Sequence, residues 1–269
     1  EIQRGGDVAV DNVVERMSQR ELNVIGYHGN ELARYNTLVA IEQGGGPGQA
    51  TTQQIITNAN IRRLTATQYI LSNGHELANL LPGVVQVAGP ATEDTTGESN
   101  YVYRLPGSAP FAWVAPVIVK AADDAVLATI MNPRFDVEAA ALFDPAAPVT
   151  ASPAVTSLPE PTGILAHVDS YAPGKMTLTL DRGAPTGSAL VVSENYYPGW
   201  HATVDGKPAH IGRAQYSMIG VELPAGSRKI ELAFTSAPYE TGKTITWIAI
   251  IIALAALAGG VIMERRRVA

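Results

Sequence analysis

The stretch "HATVDGKPAHIGRAQYSMIGVELPAGSRKIELAF", residues 201–234, decides the fold. In "HATV", "YSMIGVEL" and "RKIELAF" apolar and polar residues alternate, a period of two that sends successive side chains to opposite faces of a strand. Asp205-Gly206, between "HATV" and "KPAHI", is a type I′ hairpin signal, because both central residues of that turn take a positive φ. Pro224-Ala225-Gly226 makes the next tight turn. Toward the N-terminus, "GILAHVDSY", "KMTLTLDRG" and "GSALVVSENYY" add three further runs at intervals of about ten residues, so an all-β sandwich is expected over residues 162–238.

On the C-terminal side only "PYETGK" separates this sandwich from "TITWIAIIIALAALAGGVIMERRRVA". Ile245 to Met263 carries no charge, and at roughly 1.5 Å per residue it matches a hydrocarbon core of about 30 Å. A single C-terminal transmembrane helix is therefore expected over 244–263, contacting membrane lipid. Trp247 falls at one interface, and Arg265, Arg266 and Arg267 form a basic tail, 264–269, at the other. The positive-inside rule assigns that tail to the cytoplasm and everything before Thr244 to the extracytoplasmic side. The small residues of "ALAALAGG" would let a second transmembrane helix come close. No apolar leader is found in "EIQRGGDVAVDNVVERMSQREL", so Glu1 is expected to be a processing site or a boundary within a longer protein.

The first part reads differently. "DNVVERMSQREL" and "HGNELARYNTLVAIEQ" space apolar residues three and four apart, as short helices do, and "GGGPG" follows as a loop. "TTQQIITNANIRRLTATQYILSNG" reads as a helix of about a dozen residues running into a strand. "GVVQVAG", "YVYRL" and "FAWVAPVIVK" are strands, the last broken by Pro116 and so expected at an edge. "DDAVLATIMN" reads as a helix capped by an Asp and "AALFD" as a strand. These make an α+β module over 1–144. Residues 145–161, "PAAPVTASPAVTSLPEP", read as a Pro-rich extended linker. The expected class is thus mixed: an α+β N-terminal module, an all-β sandwich C-terminal module and one C-terminal transmembrane helix.

Composition excludes several functions. With 19 basic against 25 acidic residues the chain has no basic footprint for nucleic acid. It has no cysteine, which removes disulfides, thiol catalysis and thiolate metal sites. "GGGPG" lacks the Lys-Ser/Thr that a phosphate-cradling loop needs, and no Ser-His-Asp or paired-carboxylate arrangement can be argued from the spacing.

The string "SENYYPGWHATVDGKPAHIGRAQYSMIGVELPAGSRKIELAF", followed at once by the span and basic tail, resembles the YfhO-like bacterial membrane proteins, distant relatives of the GT-C glycosyltransferases. Upstream, "GYHGNELARYNTL", "NIRRLTATQYIL", "YVYRLPGSAPFAWVA" and "NPRFDVEAAALFD" follow in the order of that family's C-terminal extracytoplasmic region, so the resemblance runs from Val24 to Met263. It implies a soluble module lying against a multi-span body in a bacterial cytoplasmic membrane. The catalytic carboxylates of GT-C relatives lie between early spans that this sequence does not contain, so no transferase activity is carried over.

Two clusters are candidate binding sites. Tyr196, Tyr197 and Trp200 could stack on sugar rings, with His201 and Asp205 as polar handles; the competing reading is a folded sandwich corner. His201 and His210 flank a hairpin but lack a third ligand, so no metal and no cofactor are expected. Tyr27, His28, Asn30, Glu31 and Arg34 could bind a glycan or phosphate at a helix start, or form a solvated face capped by Asn30. The expected function is a non-catalytic, membrane-anchored extracytoplasmic subunit that packs on other integral membrane subunits of a larger complex, respiratory or photosynthetic complexes being examples. The alternative is an accessory or glycan-binding domain of a YfhO-like transferase.

Overall fold

The computed structural model of the chain describes residues 2–4, 32–39, 57–73, 81–92, 97, 99–107, 109–154 and 156–268. In chain order the strands are β1 (Ile2–Arg4), β2 (Tyr69–Asn73), β3 (Val85–Thr92), β4 (Ser99–Arg104), β5 (Ala112–Ala115), β6 (Ile118–Lys120), β7 (Ala141–Phe143) and β8 (Ala166–Ala172). They continue as β9 (Lys175–Leu180), β10 (Ser188–Asn195), β11 (Trp200–Val204), β12 (Lys207–Ala209), β13 (Ile211–Ala214), β14 (Met218–Leu223) and β15 (Lys229–Phe234). The helices are α1 (Ala33–Leu38), α2 (Ala59–Leu64), α3 (Asp123–Met131) and α4 (Ala237–Val268).

An outer sheet, ordered β12-β11-β15-β9-β8, is antiparallel throughout. Its alternation is the one the sequence carries: Met176, Leu178 and Leu180 of β9 and Ile230 and Leu232 of β15 are buried, while Thr177, Glu231 and Lys229 look outward. Each large apolar side chain so buried contributes about 1.5–3 kcal/mol. Asp205 (φ +49°) and Gly206 (φ +76°) both lie in the left-handed region, as the type I′ turn requires. The run "KPAHIG" divides: β12 stays at the edge of the outer sheet, where Pro208 is tolerated, and beyond His210 the chain crosses to β13 in the second sheet.

This central sheet has the order β5-β10-β14-β13-β7-β6. Leu190 and Val192 of β10 face the outer sheet with Val114, Ile219 and Val221. Ala189 and Val191 face the opposite way, into a second core with Trp113, Phe143, Leu38, Ile61 and Ile130. Burial on both faces explains why "SALVV" does not alternate. Pro116 breaks "FAWVAPVIVK" as expected, and the two halves, β5 and β6, form the two opposite edges of the sheet. Ala115 and Ile118 are three Cα steps apart, at most about 11 Å, whereas the edges of a flat six-stranded sheet would lie about 24 Å apart. The sheet is therefore curled into an open barrel. Phe143 fills its interior, and a Cβ placed on Gly220 would meet the Phe143 ring at 2.4 Å, so only glycine fits there.

Of residues 145–161, expected as an extended linker, 145–152 lie along this curl. Ala147 and Val149 are buried. Ser152 N donates to Ile118 O (2.8 Å) and Ile118 N donates to Ser152 Oγ (2.9 Å), covering the outside of β6. Just downstream, Val114 N donates to Ile164 O (3.1 Å) and Leu165 bridges Trp113, covering the outside of β5. Both raw edges of the barrel are thus closed. The central sheet also draws strands from both sides of the boundary expected at 145–161, so the sandwich is completed by residues 112–143.

A third sheet, β1-β2-β4-β3, and helices α1 to α3 cover the inner core. Of the helix expected to run about a dozen residues before "TQYIL", residues 51–56 lie outside the described residues; α2 is its described C-terminal part, with Asn58 as N-cap accepting from Asn60 N at 2.9 Å. Asn58 and Asn60 donate to Met131 O (3.1 Å) and Ile130 O (3.0 Å), satisfying carbonyls that the C-terminus of α3 leaves open. The Asp cap expected for α3 is corrected: its N-cap is Ala122, which has no side chain to cap with, and Asp123 turns instead to two arginines. "DNVVERMSQREL" and "GGGPG" lie outside the described residues. The long apolar α4 projects from the end of β15 with Arg265, Arg266 and Arg267 in its last turn.

Candidate functional site

The stretch from Glu194 to His210 folds as the exit of β10, a Pro198-Gly199 turn, β11 and its hairpin. Gly199 has φ +124°, and a Cβ there would fall 2.4 Å from Thr235 O, so the turn can press against the end of β15 only as glycine. Gly199 O accepts from Thr235 N at 2.9 Å. This contact brings Trp200 edge-on to Phe234, centroids 5.6 Å apart, with Tyr197 at 6.3 Å from the same ring. His201 Nε2 lies 2.9 Å from Thr235 Oγ1. Tyr197, Trp200 and His201 are thus gathered beside the start of α4, Trp200 half-buried and Tyr197 exposed; Tyr196 packs on the sandwich core.

Asp205 is not part of that group. It stands at the far end of β11, where its carboxylate accepts from Arg228 N (3.2 Å) and Lys229 N (2.9 Å) and ties the hairpin to β15. The two histidines do not share a ligand either, since His210 Nδ1 lies 2.9 Å from Glu222 Oε2. Among the described residues no group of His, Asp and Glu could hold a metal ion. Burial works against the Glu222 charge, but the hydrogen bonds from His210 and Thr150 outweigh it and hold its carboxyl below the usual range. Tyr27, His28, Asn30 and Glu31 lie outside the described residues. Arg34 is exposed on α1 and its guanidinium contacts Asp123 at 3.0 Å.

Two further groups were not singled out from the sequence. Glu194 is mostly buried where β10 leaves its ladder, and Tyr171 Oη donates to it at 3.1 Å. Burial pushes the Glu194 carboxyl up, only partly offset by bonds from Tyr171 and Asn195. Tyr171 is pushed up to about 12 by burial and by the neighbouring carboxylate. Tyr35, partly buried on α1, is raised by burial and then by the Glu194 charge. The other group centres on Arg213, whose guanidinium pairs with Asp123 at 2.7 Å and with Asp144, and donates to Tyr216 O at 2.8 Å. Asp123 meets a desolvation cost, but the bonds and charges of Arg213 and Arg34 exceed it, so its carboxyl stays below the usual range. Glu194 sits inside the aromatic stretch quoted above and was legible as its neighbour; the Arg213 cluster joins distant segments and leaves no local mark.

Residues 166–246 match the family model described as "Bacterial membrane protein YfhO". That stretch is YfhO-like. The match starts with β8, includes the aromatic corner, the Asp205-Gly206 hairpin and Arg213, and ends in the first turns of α4. No curated protein and no solved structure matches the chain. The YfhO-like stretch leads directly into a helix long and apolar enough to cross a membrane, with Trp247 exposed near its start, which fits a membrane-anchored protein.

Proposed function

We propose that the chain is a non-catalytic, membrane-anchored extracytoplasmic module that packs on and stabilises a larger bacterial membrane assembly, with its arginine tail in the cytoplasm. The observation that carries this reading is the passage from β15 to α4: Thr235 and Ser236 alone lie between the sandwich and the apolar helix, so the folded body is held at the bilayer surface. Two features supply surfaces for other subunits. The edge strand β3 is exposed along its whole length, with Val85 at 47% and Val87 at 48%, and α4 carries the small residues that let helices approach. The carboxylates near cations serve the fold: Asp123 and Asp144 hold Arg213, and Asp205 holds two backbone amides. Blue-native electrophoresis after mild detergent extraction tests the reading. Migration within a larger assembly is expected, and migration as a free monomer near its own mass contradicts it.

The family match favours a second reading, in which the same module is the accessory domain of a YfhO-like glycosyltransferase and Trp200 touches a glycan. An open reading frame that continues upstream of Glu1 through many further spans supports this arrangement in cis. Glycan titration separates the binding role, because Trp200→Ala should then weaken it, and an unchanged titration removes it.

A further inference from the structure

We infer that the aromatic corner is a membrane-surface contact in which Tyr197 and Trp200 rest in the lipid headgroup layer of the bilayer crossed by α4. The inference rests on the reading of α4 as a span and adds which part of the sandwich touches lipid. Two turns flank the exit of β15: Gly174 O accepts from Phe234 N at 2.8 Å and Gly199 O accepts from Thr235 N at 2.9 Å, so both face the start of α4. From Ala237 to Ile245, the start of the uncharged segment, the helix rises about 12 Å, and a tilt of about 20–40° shortens the depth further. The headgroup layer is about 5–8 Å thick on each side of the hydrocarbon, so the remaining few ångströms are within the length of a Tyr or Trp side chain.

The chemistry of the two ends of the sandwich is asymmetric in the same sense. Beside α4, large amphipathic rings are left in the open: Tyr197 is 53% exposed, followed down the helix by Tyr239 at 66% and Trp247 at 60%. At the opposite end, around the Asp205-Gly206 hairpin, the exposed charged residues are Asp205, Lys207, Arg228 and Arg182, and among the described residues no aromatic ring stands exposed beside the turn. Tyr and Trp are the side chains that gain from a boundary, apolar ring in the acyl region and polar edge in water, whereas the charged end gains only from water.

The chain has no cysteine, so single nitroxide labels can be placed cleanly. The full chain carrying Tyr197→Cys, Lys207→Cys or Ala253→Cys is reconstituted in vesicles of phosphatidylethanolamine and phosphatidylglycerol. Accessibility to a water-soluble nickel chelate is expected to be severalfold lower at 197 than at 207, and lost at 253 with oxygen accessibility retained. Equal nickel accessibility at 197 and 207, with 253 immersed, overturns the inference and leaves the span intact. Exposure at 253 overturns the span itself. Since cysteine removes one of the rings in question, Trp200 emission gives an independent measure in the Trp247→Phe chain, where Trp113 is buried. Lipid labelled on its headgroup should quench Trp200 severalfold more than lipid labelled deep in its acyl chain. No such preference, or loss of quenching when an oligosaccharide is added, overturns the inference, the latter in favour of sugar binding.

Discussion

β9 and β10 follow one another in the chain and both are rich in apolar residues, but they behave differently in the fold. In β9, "KMTLTL", burial alternates, and its threonines are partly exposed on the outward face. In β10, "SALVVSEN", the first five residues are all buried, because the outer sheet covers one face and the helices and Phe143 fill the other. An alternating strand reports one packed neighbour; an unbroken apolar strand reports two. The difference locates the rest of the protein: the layer that β10 demands on its second face comes from residues upstream of the Pro-rich segment. The upstream and downstream parts are therefore joined through one sheet, while the outer sheet belongs to the downstream part alone.

Substitutions can break this contrast, with unfolding followed in urea through Trp113, which is buried in the central sheet. The largest effect is expected from Phe143→Ala, which empties the barrel interior and should cost about 3–5 kcal/mol. Arg213→Ala leaves Asp123 and Asp144 without their shared cation and is expected to cost about 2 kcal/mol, less than a fully buried pair because Asp123 keeps water and Arg34. Gly199→Ala forces a Cβ against Thr235 O and should cost about 1–3 kcal/mol; it tests the corner rather than the barrel. Thr177→Ala, on the outward face of β9, should stay within about 0.5 kcal/mol. If it cost as much as Phe143→Ala, the distinction between the sheets would fall.

A smaller effect depends on pH and has a definite sign. Burial raises the folded-state value of Glu194, so its contribution favours the folded state below the unfolded value of about 4.3 and is lost as pH rises through the raised one. Glu194→Gln, which keeps an acceptor for Tyr171, is expected to raise the melting temperature slightly at neutral pH and to give no gain in acid. Asp123 has the opposite sign: its stabilisation is present above an unfolded value of about 3.9 and is lost as pH falls through its lowered one. Melting curves of the Glu194→Gln and parent chains from pH 3 to 8 check the Glu194 sign, and the same comparison for Asp123→Asn carried down to pH 2 checks the other; a Glu194→Gln gain that grows toward acid contradicts the assignment.

The outer sheet was legible because its signals are local. Alternation in "KMTLTL" and "RKIELAF", the Asp205-Gly206 turn and the break at Pro116 each follow from a few adjacent residues. The curl of the central sheet was not, because β7 meets β13 at Phe143 and Ala214 across a long loop of chain, and such pairings leave no periodicity. The candidate site divides the same way. Tyr197, Trp200 and His201 are neighbours in sequence and in space, yet Asp205, grouped with them by proximity in the chain, is carried to the far end by the length of β11. Asp123 resembled a helix cap in sequence, but Arg213, brought in by β13, redirects it.

The junction below β15 leaves little slack. Thr235 is bonded through its amide to Gly199 and stands beside His201 through its hydroxyl, and Ser236 O accepts from Glu240 N at 3.0 Å inside the first helical turn. With both intervening residues so engaged, the chain passes from β15 into α4 without a free linker residue, and one strand end serves at once as the floor of the aromatic corner and the root of the helix.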